Sequence, residues 1–528
     1  MSTGKDRLKS LIWIIPAVVA FLVILIPTIK YSWPLSWDII YHVQYAQVYA
    51  KYGFVLSDPL LNAPYGQKIG YPPGFHFLLV FLGALGRVDY FQIARFLQPF
   101  LVMLMVLSIS YVARKLYGTI AGISAGFLII SSLLLGNRLI FPIPENMALI
   151  FLPMAIYLYY NSILEKTFKY AIISGLLLII ILSIHQAATL VLFLIITAFT
   201  LVELIIYRNI NVFKNYGGFL LVPLSILITG VIAAYLLSPH LVESILQSGL
   251  KGATGFVTSL PSSRPIGLLS YGNLGVMTLV FGLLGTILAL VKRRKQDIFV
   301  LIWIIMVLLL MNSYLFGINV ISYRLLPYLL IPLSILGGFA LDYIYHKLKD
   351  YKRFSSKNFR TAFLVSIFAL ATFNGILTVE NPLIDSFTIE NQYGTIQIAP
   401  PSAYEMDVAQ WFNENGDKNK SILSNNLFPL TFVTTQTGMP LRSDLSFEDF
   451  NDTTSEDFFK QNGIGYVVLD KRLSFTSRNG TLYKVKYDAE FYRIFYYSQD
   501  VHSHISEIFP SYIKVVYENK YFIIGQVQ

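Results

Sequence analysis

The run LIWIIPAVVAFLVILIPTI, Leu11 to Ile29, holds no charged side chain and comes close to the roughly 20 apolar residues a helix needs to cross about 30 Å of hydrocarbon. Comparable runs recur at Ile172 to Leu182, Leu274 to Val291 and Ile298 to Met311. In lipid, backbone N–H and C=O groups have no water to bond, so runs of this kind fold as helices that satisfy themselves. With 55% hydrophobic and 13% charged residues over 528 positions, the chain carries more apolar surface than a soluble core of its size can hide. The fold class that follows is a polytopic α-helical membrane protein. The first run follows MSTGKDRLK but contains Pro16 and Pro27 and lacks a small-residue cleavage site, so it reads as an uncleaved anchor and not as a secretion signal.

The formal charge of +10 is dispersed in short clusters between apolar runs, at Arg114 and Lys115, in KRRK from Lys292, and in HKLKDYKR from His346. That is the pattern of cytoplasmic loops, not of a groove for nucleic-acid phosphates. Placing these clusters inside predicts about 11 spanning helices, a cytoplasmic N-terminus and an extracytoplasmic C-terminus, in a multi-pass protein of the cell (plasma) membrane. The predicted spans are 11–30, 92–113, 118–136, 145–163, 168–184, 187–207, 217–237, 274–291, 298–314, 323–345 and 361–379. FHFLLVFLGALG, Phe75 to Gly86, is too short to cross and fits an interfacial helix. The plan gives a transmembrane catalytic domain over 1–379, with external segments 31–91 and 239–273, and a soluble extracytoplasmic α/β domain over 380–528. In that last domain SILSNNLFPLTFVTTQTG, GIGYVVLDKRL and FIIGQV read as short strands and AYEMDVAQWFNENG as an amphipathic helix. The Asn-x-Ser/Thr sequons at Asn419, Asn451 and Asn479 all fall there, as an exterior location allows. There is no cysteine, hence no disulfide or thiolate metal site, and neither a Walker-type loop nor a dinucleotide fingerprint.

The polar chemistry gathers on the outer face. Read as a helix, SWDIIYHVQYAQVYAKYG (Ser36 to Gly53) aligns Asp38, His42, Tyr45 and Tyr49 on one stripe and Ile39, Val43, Ala46 and Ala50 on its neighbour. Such a helix can lie along the membrane surface and offer a carboxylate, and Asp38 falls in the first turn, where the helix dipole favours the ionised form. A plainer reading makes Asp38 a helix starter and the tyrosines interface anchors. Arg324, in ISYRLLPYLLIP, stands at the outer end of a span, where an arginine costs free energy unless it snorkels or finds a partner. His185 and Gln186, in SIHQAATL, occupy an outward turn between two spans, and Tyr71, His76 and His240 lie on the same side.

The stretch IGYPPGFHFLLVFLGALGRVDYFQIARFLQPFLVMLMVLSISYVARKLYG joins a Pro-Pro turn, a short helix, an arginine at the start of a span and an Arg-Lys-x-x-Gly exit. In this order and sidedness the chain resembles the GT-C superfamily of integral-membrane glycosyltransferases, particularly the branch of dolichyl-phosphate-mannose-protein mannosyltransferases and lipid A aminoarabinose transferases. The resemblance matches Asp38 to the family's first-loop acid, Pro72 and Pro73 to its Pro-Pro element, Arg95 to its arginine, and Arg114 to Gly118 to its exit. Glu145, in NRLIFPIPENM, takes the place of the acid of the next external loop. Specific matches end at Glu145, while the general architecture covers the whole chain. Two departures bear on the acceptor. Ile39 follows Asp38, where the protein-modifying members usually carry a second acid, and the WWDYG signature of oligosaccharyltransferases is absent from the C-terminal domain, which argues against en bloc oligosaccharide transfer.

The resemblance implies an inverting transfer of a sugar from a polyprenyl (dolichyl or undecaprenyl) phosphate to a glycan, lipid or protein acceptor at the outer face. The attacking hydroxyl needs a base, for which Asp38 is the candidate, with His42 as orienter and Glu145 as the second acid. The departing phosphate needs positive charge, for which Arg324 stands first and Arg95 and Arg264 behind it. His185, Gln186, His76 and Tyr71 are candidates to bind sugar. Carboxylates with an imidazole can also hold a divalent cation; the oligosaccharyltransferase branch depends on metal and the mannosyltransferase branch mostly does not, so a metal stays unassigned. The rival reading is a secondary transporter or a lipid-linked-glycan flippase. Such proteins place ionisable groups or broken helices near the bilayer midplane, whereas the charges inside these spans sit near their ends.

Overall fold

The computed structural model describes residues 11–36, 38–237, 266–317, 320–380, 387–391, 394–398, 403–443, 445, 456–470, 484–486, 493–495, 509 and 511–528. They fall into two compact units, one of Met1–Pro34, Pro72–Phe75 and Arg95–Leu383, the other of Leu35–Tyr71, His76–Ala94 and Ile384–Gln528. In chain order the helices are α1 (Ile15–Lys30), α2 (Asp38–Tyr52), α3 (Gly74–Gly86), α4 (Tyr90–Tyr117), α5 (Thr119–Ile130), α6 (Pro144–Leu164), α7 (Phe168–Ile184), α8 (Gln186–Ile205), α9 (Val212–Leu237), α10 (Val276–Lys292), α11 (Lys295–Met311), α12 (Leu326–Lys347), α13 (Lys357–Glu380), α14 (Ala403–Asn415), α15 (Leu427–Thr437) and α16 (Glu456–Gln461).

Every predicted span falls on a helix, from α1 to α13. By length and mean hydropathy, however, seven helices of the described residues can cross a membrane, or eight if the 3-10 turn Leu268–Leu274 and α10 count as one bent span. The difference from about 11 lies in helix length. α5 has 12 residues and α7 and α11 have 17 each. α5 closes at Ser131 and Ser132, where Ser131 Oγ donates to the Leu128 carbonyl and Ser132 Oγ to the Asn273 carbonyl, so hydroxyls take over from the helical ladder.

Within the first unit α12 is the central helix, with 94% of its apolar window buried, whereas α9 and α13 keep 11% and 22% and turn most of their apolar surface outward, as helices facing lipid do. α10 and α5 pack along α12. Without a hydrophobic force between helices in lipid, close backbone approach holds such pairs. A Cβ at Gly285 of α10 would collide with the Leu336 carbonyl of α12. The turn Leu268–Leu274 meets α10 at 95°, and the hinge is Gly275, whose φ of 83° is the left-handed region glycine tolerates.

The second unit is built on a four-stranded sheet in the order β5 (Ser421–Ser424), β6 (Ile464–Asp470), β10 (Phe522–Val527), β9 (Ile513–Glu518), with β5 parallel to β6 and the other neighbours antiparallel. Antiparallel pairs β1 (Ser57–Asp58) with β2 (Gln67–Lys68), β3 (Phe387–Asn391) with β4 (Gly394–Ile398), and β7 (Lys484–Lys486) with β8 (Arg493–Phe495) accompany it. α14 lies where AYEMDVAQWFNENG predicts a helix, and β6 and β10 lie where strands are predicted.

SILSNNLFPLTFVTTQTG is a strand only over Ser421–Ser424; the rest becomes helix α15. The threonines that suggested a strand are accommodated in the helix, because Thr431, Thr435 and Thr437 each donate a hydroxyl to the carbonyl four residues back, at 2.7–2.8 Å. Asn425 and Asn426 break the strand by donating side-chain amides to the Asp470 carbonyl and carboxylate.

Helix α2 forms where SWDIIYHVQYAQVYAKYG predicts one. Nine of its 15 residues are buried, including Ile39, Val43, His42, Tyr45 and Tyr49, so most of both stripes is covered, while Asp38 is half-buried and Ala50 exposed. α15 packs on α2, and Thr431 Oγ1 meets Tyr41 Oη at 3.4 Å. The loop after α2 is tied in the same way. Leu61 bridges to Leu441, whose N–H donates to the Leu60 carbonyl at 2.8 Å.

Candidate functional site

In the first unit the polar residues assemble around the start of α6. Glu145, in its first turn, is 3% exposed. Its Oε2 accepts Nε and Nη2 of Arg138 at 3.1 and 2.5 Å. Arg138 is presented by a π-helical turn, Leu135–Leu139, a conformation that recurs at functional sites. Asn146 fixes that turn by donating its side-chain amide to the carbonyls of Arg138, Leu139 and Phe141, at 2.8, 3.1 and 2.7 Å. Tyr328 of α12 is 1% exposed; its hydroxyl lies 3.5 Å from His185 Nδ1 and within electrostatic reach of Glu145 and Arg138.

His185 caps α8. Its Nδ1 accepts from the Ala188 N–H at 3.3 Å, which assigns the ring proton to Nε2. Burial holds this imidazole below its ordinary value, against the opposing pull of Glu145 and with the support of Arg138 and Arg324, all within electrostatic reach. A neutral ring can accept at one nitrogen and donate at the other. Arg324 sits in the 3-10 turn Ser322–Leu325, one helical turn before Tyr328. The first unit thus brings together Glu145, His185 and Arg324 of the predicted residues, and adds Arg138 and Tyr328. Gln186 is exposed at the following helix start.

Arg95 takes a different position. Its Nε donates to the Thr28 carbonyl at 2.8 Å and its Nη2 to the Ile29 carbonyl at 3.4 Å, capping the last turn of α1. Arg264 and His240 lie outside the described residues.

The second unit holds the other predicted residues. Asp38 opens α2 and is half-buried. His42 Nδ1 and His76 Nε2 are 3.0 Å apart, with the rings stacked at 29°. Tyr71 meets His42 edge-on at 4.9 Å between centroids, and Tyr45 meets His76 likewise at 5.4 Å. Burial first, and His42 second, push the His76 imidazole down to about 2. Beyond this box Asp58, fully buried, accepts the Gln44 side-chain amide at 2.9 Å and the Leu60 N–H at 2.8 Å, and burial raises its carboxyl above the ordinary range.

Sequence reasoning missed Arg138, Tyr328 and Asp58. An arginine in an otherwise apolar turn seven residues before Glu145 was the available signal for Arg138. No three His, Cys, Asp or Glu side chains among the described residues come together to hold a metal ion.

No family model and no curated protein matches the sequence. Solved structures do. ArnT from Cupriavidus metallidurans bound to undecaprenyl phosphate matches with a TM-score of 0.61 at 12% identity, covering 99% of this chain and 98% of that one. The fold is GT-C. The oligosaccharyltransferase AglB of Archaeoglobus fulgidus, in complex with an inhibitory peptide and a dolichol-phosphate, matches with a TM-score of 0.59 at 14% identity over 89% of this chain and 70% of that one. The same protein with zinc and sulfate gives a TM-score of 0.57 at 15% identity over 87% of this chain and 68% of that one. The arabinofuranosyltransferase AftD from Mycobacteria gives 0.59 at 15% identity over 97% of this chain and 40% of that longer one. The fold agrees with the GT-C architecture that the sequence suggests, and at these identities the fold alone is what is shared.

Proposed function

We propose that this protein is an inverting glycosyltransferase that moves a sugar from a polyprenyl phosphate to a hydroxyl-bearing acceptor at the outer face of the cell membrane. The observation that carries the reading is the cluster of buried Glu145 and Tyr328 with half-buried Arg138, His185 and Arg324. It contains two guanidinium groups for one carboxylate, a net positive place that suits a phosphate leaving group. ArnT binds undecaprenyl phosphate and AglB a dolichol-phosphate, which supports the same donor class here.

In the reaction the acceptor oxygen attacks the anomeric carbon, the carbon–oxygen bond to phosphate breaks with its electron pair going to the phosphate, and the hydroxyl proton passes to a carboxylate. Asp38 is that base. Arg324 stabilises the growing charge on the phosphate, and neutral His185 and exposed Gln186 hydrogen-bond sugar hydroxyls. Residues 1–379 form the catalytic membrane part and 380–528 an extracytoplasmic domain, with a cytoplasmic N-terminus. Tyr71 and His76 offer an aromatic surface for the sugar or acceptor.

The test is release of polyprenyl phosphate by membranes containing the protein, given a polyprenyl-phosphate sugar and an acceptor mixture. Asp38→Asn should lower the rate by at least about a hundredfold at equal expression, and Arg324→Ala by about tenfold or more. Release that persists unchanged in Asp38→Asn removes the assigned base, and no release by the wild type from any polyprenyl-phosphate sugar removes the function.

A further inference from the structure

Resting on the transferase reading and on Asp38 as its base, we propose that the C-terminal part of the chain positions that base, with Thr431 of α15 holding Tyr41 and Tyr41 holding Asp38. Asp38 and Tyr41 stand three residues apart on α2, a spacing that puts both side chains on one face, and the carboxylate lies within electrostatic reach of the phenol. Burial raises the Tyr41 hydroxyl above its ordinary range, so beside the carboxylate it stays neutral and can donate. The Thr431 hydroxyl meets Tyr41 Oη at 3.4 Å, from 390 residues further along the chain. Thr431 itself is buried, and its hydroxyl is fixed on the Leu427 carbonyl at 2.8 Å.

The hold on α2 and its following loop is wider than this contact. Past α15, residues 440–442 run beside β5, where the Ile422 N–H donates to the Pro440 carbonyl at 2.8 Å and the Arg442 N–H to the Ile422 carbonyl at 2.9 Å. The same segment takes the loop after α2, since the Leu441 N–H donates to the Leu60 carbonyl at 2.8 Å and the Ala63 N–H to the Leu441 carbonyl at 3.1 Å. Backbone hydrogen bonds thus join this loop to the four-stranded sheet. Arg442, 2% exposed, donates Nη1 to the Asn462 carbonyl at 2.7 Å and lies 5.7 Å from the centroid of the Tyr65 ring. Phe432, next to Thr431, meets Phe91 at 5.7 Å between centroids. A carboxylate on a helix anchored in this way keeps its orientation without a conformational search, which is what positioning contributes to proton transfer.

Tyr41 and Thr431 are on this account positioning residues that act in series. The experiment is steady-state polyprenyl-phosphate release by the purified full-length protein in nanodiscs. The donors are a panel of undecaprenyl- and dolichyl-phosphate hexoses and pentoses, supplied with the acceptor mixture. Wild type, Asp38→Asn, Tyr41→Phe, Thr431→Val, Thr431→Ser and the double variant Tyr41→Phe/Thr431→Val are compared, with an unfolding midpoint for each. Tyr41→Phe and Thr431→Val should each lower kcat by about three- to tenfold and leave the donor KM within about twofold. The double variant should match the weaker single one within about twofold, because either change breaks the same link. Thr431→Ser, which keeps the hydroxyl, should recover most of the loss. Full kcat in either single variant overturns the inference, as does a double variant whose loss is the product of the single losses, or a loss confined to the unfolding midpoint. In those cases an inactive Asp38→Asn leaves the transferase reading and its base intact. A wild-type rate in Asp38→Asn removes the base and this inference with it, and a wild type that releases nothing from any donor removes the transferase reading. Should Tyr41→Phe not fold, the contrast between Thr431→Val and Thr431→Ser decides.

Discussion

His42 and His76 make their contact across 34 residues of sequence, ring against ring, in a box of tyrosines. The stripe that carries His42 is legible from the sequence, because helical spacing is local. Its partner is not, because a contact between distant segments leaves no periodicity to read. The pair has a consequence for stability. In the unfolded chain His76 titrates near its ordinary value of about 6.5, whereas burial pushes it down to about 2 in the fold. As pH falls through 6.5 the unfolded state binds a proton that the native state refuses, so stability falls with pH by up to about 1.4 kcal/mol per unit from this group. Above that value the group contributes no slope. The unfolding midpoint in detergent should therefore drop as pH falls below about 6.5, and His76→Gln should flatten part of that drop. Equal slopes in the two proteins would show that this imidazole is accessible to protons in the native state.

Secondary elements show where local reading succeeds and where it stops. Apolar periodicity finds a helix at every predicted span, though not each is long enough to cross, and the amphipathic α14, since both reflect one-dimensional patterns. It fails at α15, where β-branched residues suggest a strand and hydroxyl bonds to carbonyls within the helix tip the balance the other way. It fails also at Asp58, whose role depends on three partners. That carboxylate closes the turn between β1 and β2 by accepting the N–H groups of Leu60 and Leu61, so that Leu60 and Leu61 meet Leu441. Asp58→Ala leaves these donors and the Gln44 amide buried without their acceptor, a loss of about 2–4 kcal/mol. A lower unfolding midpoint, together with faster proteolysis of the loop, should follow, and Asp58→Asn, which keeps one acceptor oxygen, should lose less. In the membrane part the corresponding test is Gly285→Val. A branched side chain against the Leu336 carbonyl forces α10 from α12, and the variant should unfold in detergent at clearly lower temperature.

At the scale of the molecule the sequence predicts charge and chemistry on opposite faces of the membrane, and this prediction is open to direct measurement. Arg293, Lys349, Lys352 and Arg353 are exposed side chains of the loops that follow α10 and α12. Positive loops of this kind stay in the cytoplasm because they resist translocation. Asn419, exposed in the turn before β5, belongs to the domain read as extracytoplasmic. The chain has no cysteine, so one introduced thiol is its only target for a maleimide and no background has to be removed. In sealed right-side-out vesicles a membrane-impermeant maleimide should label Asn419→Cys at once and Lys349→Cys only after permeabilisation. Inverted vesicles should reverse the order. Labelling of both from the same side would break the topology, and with it the assignment of acid, guanidinium groups and acceptor to the outer face, since the sidedness of the basic loops is what places them there.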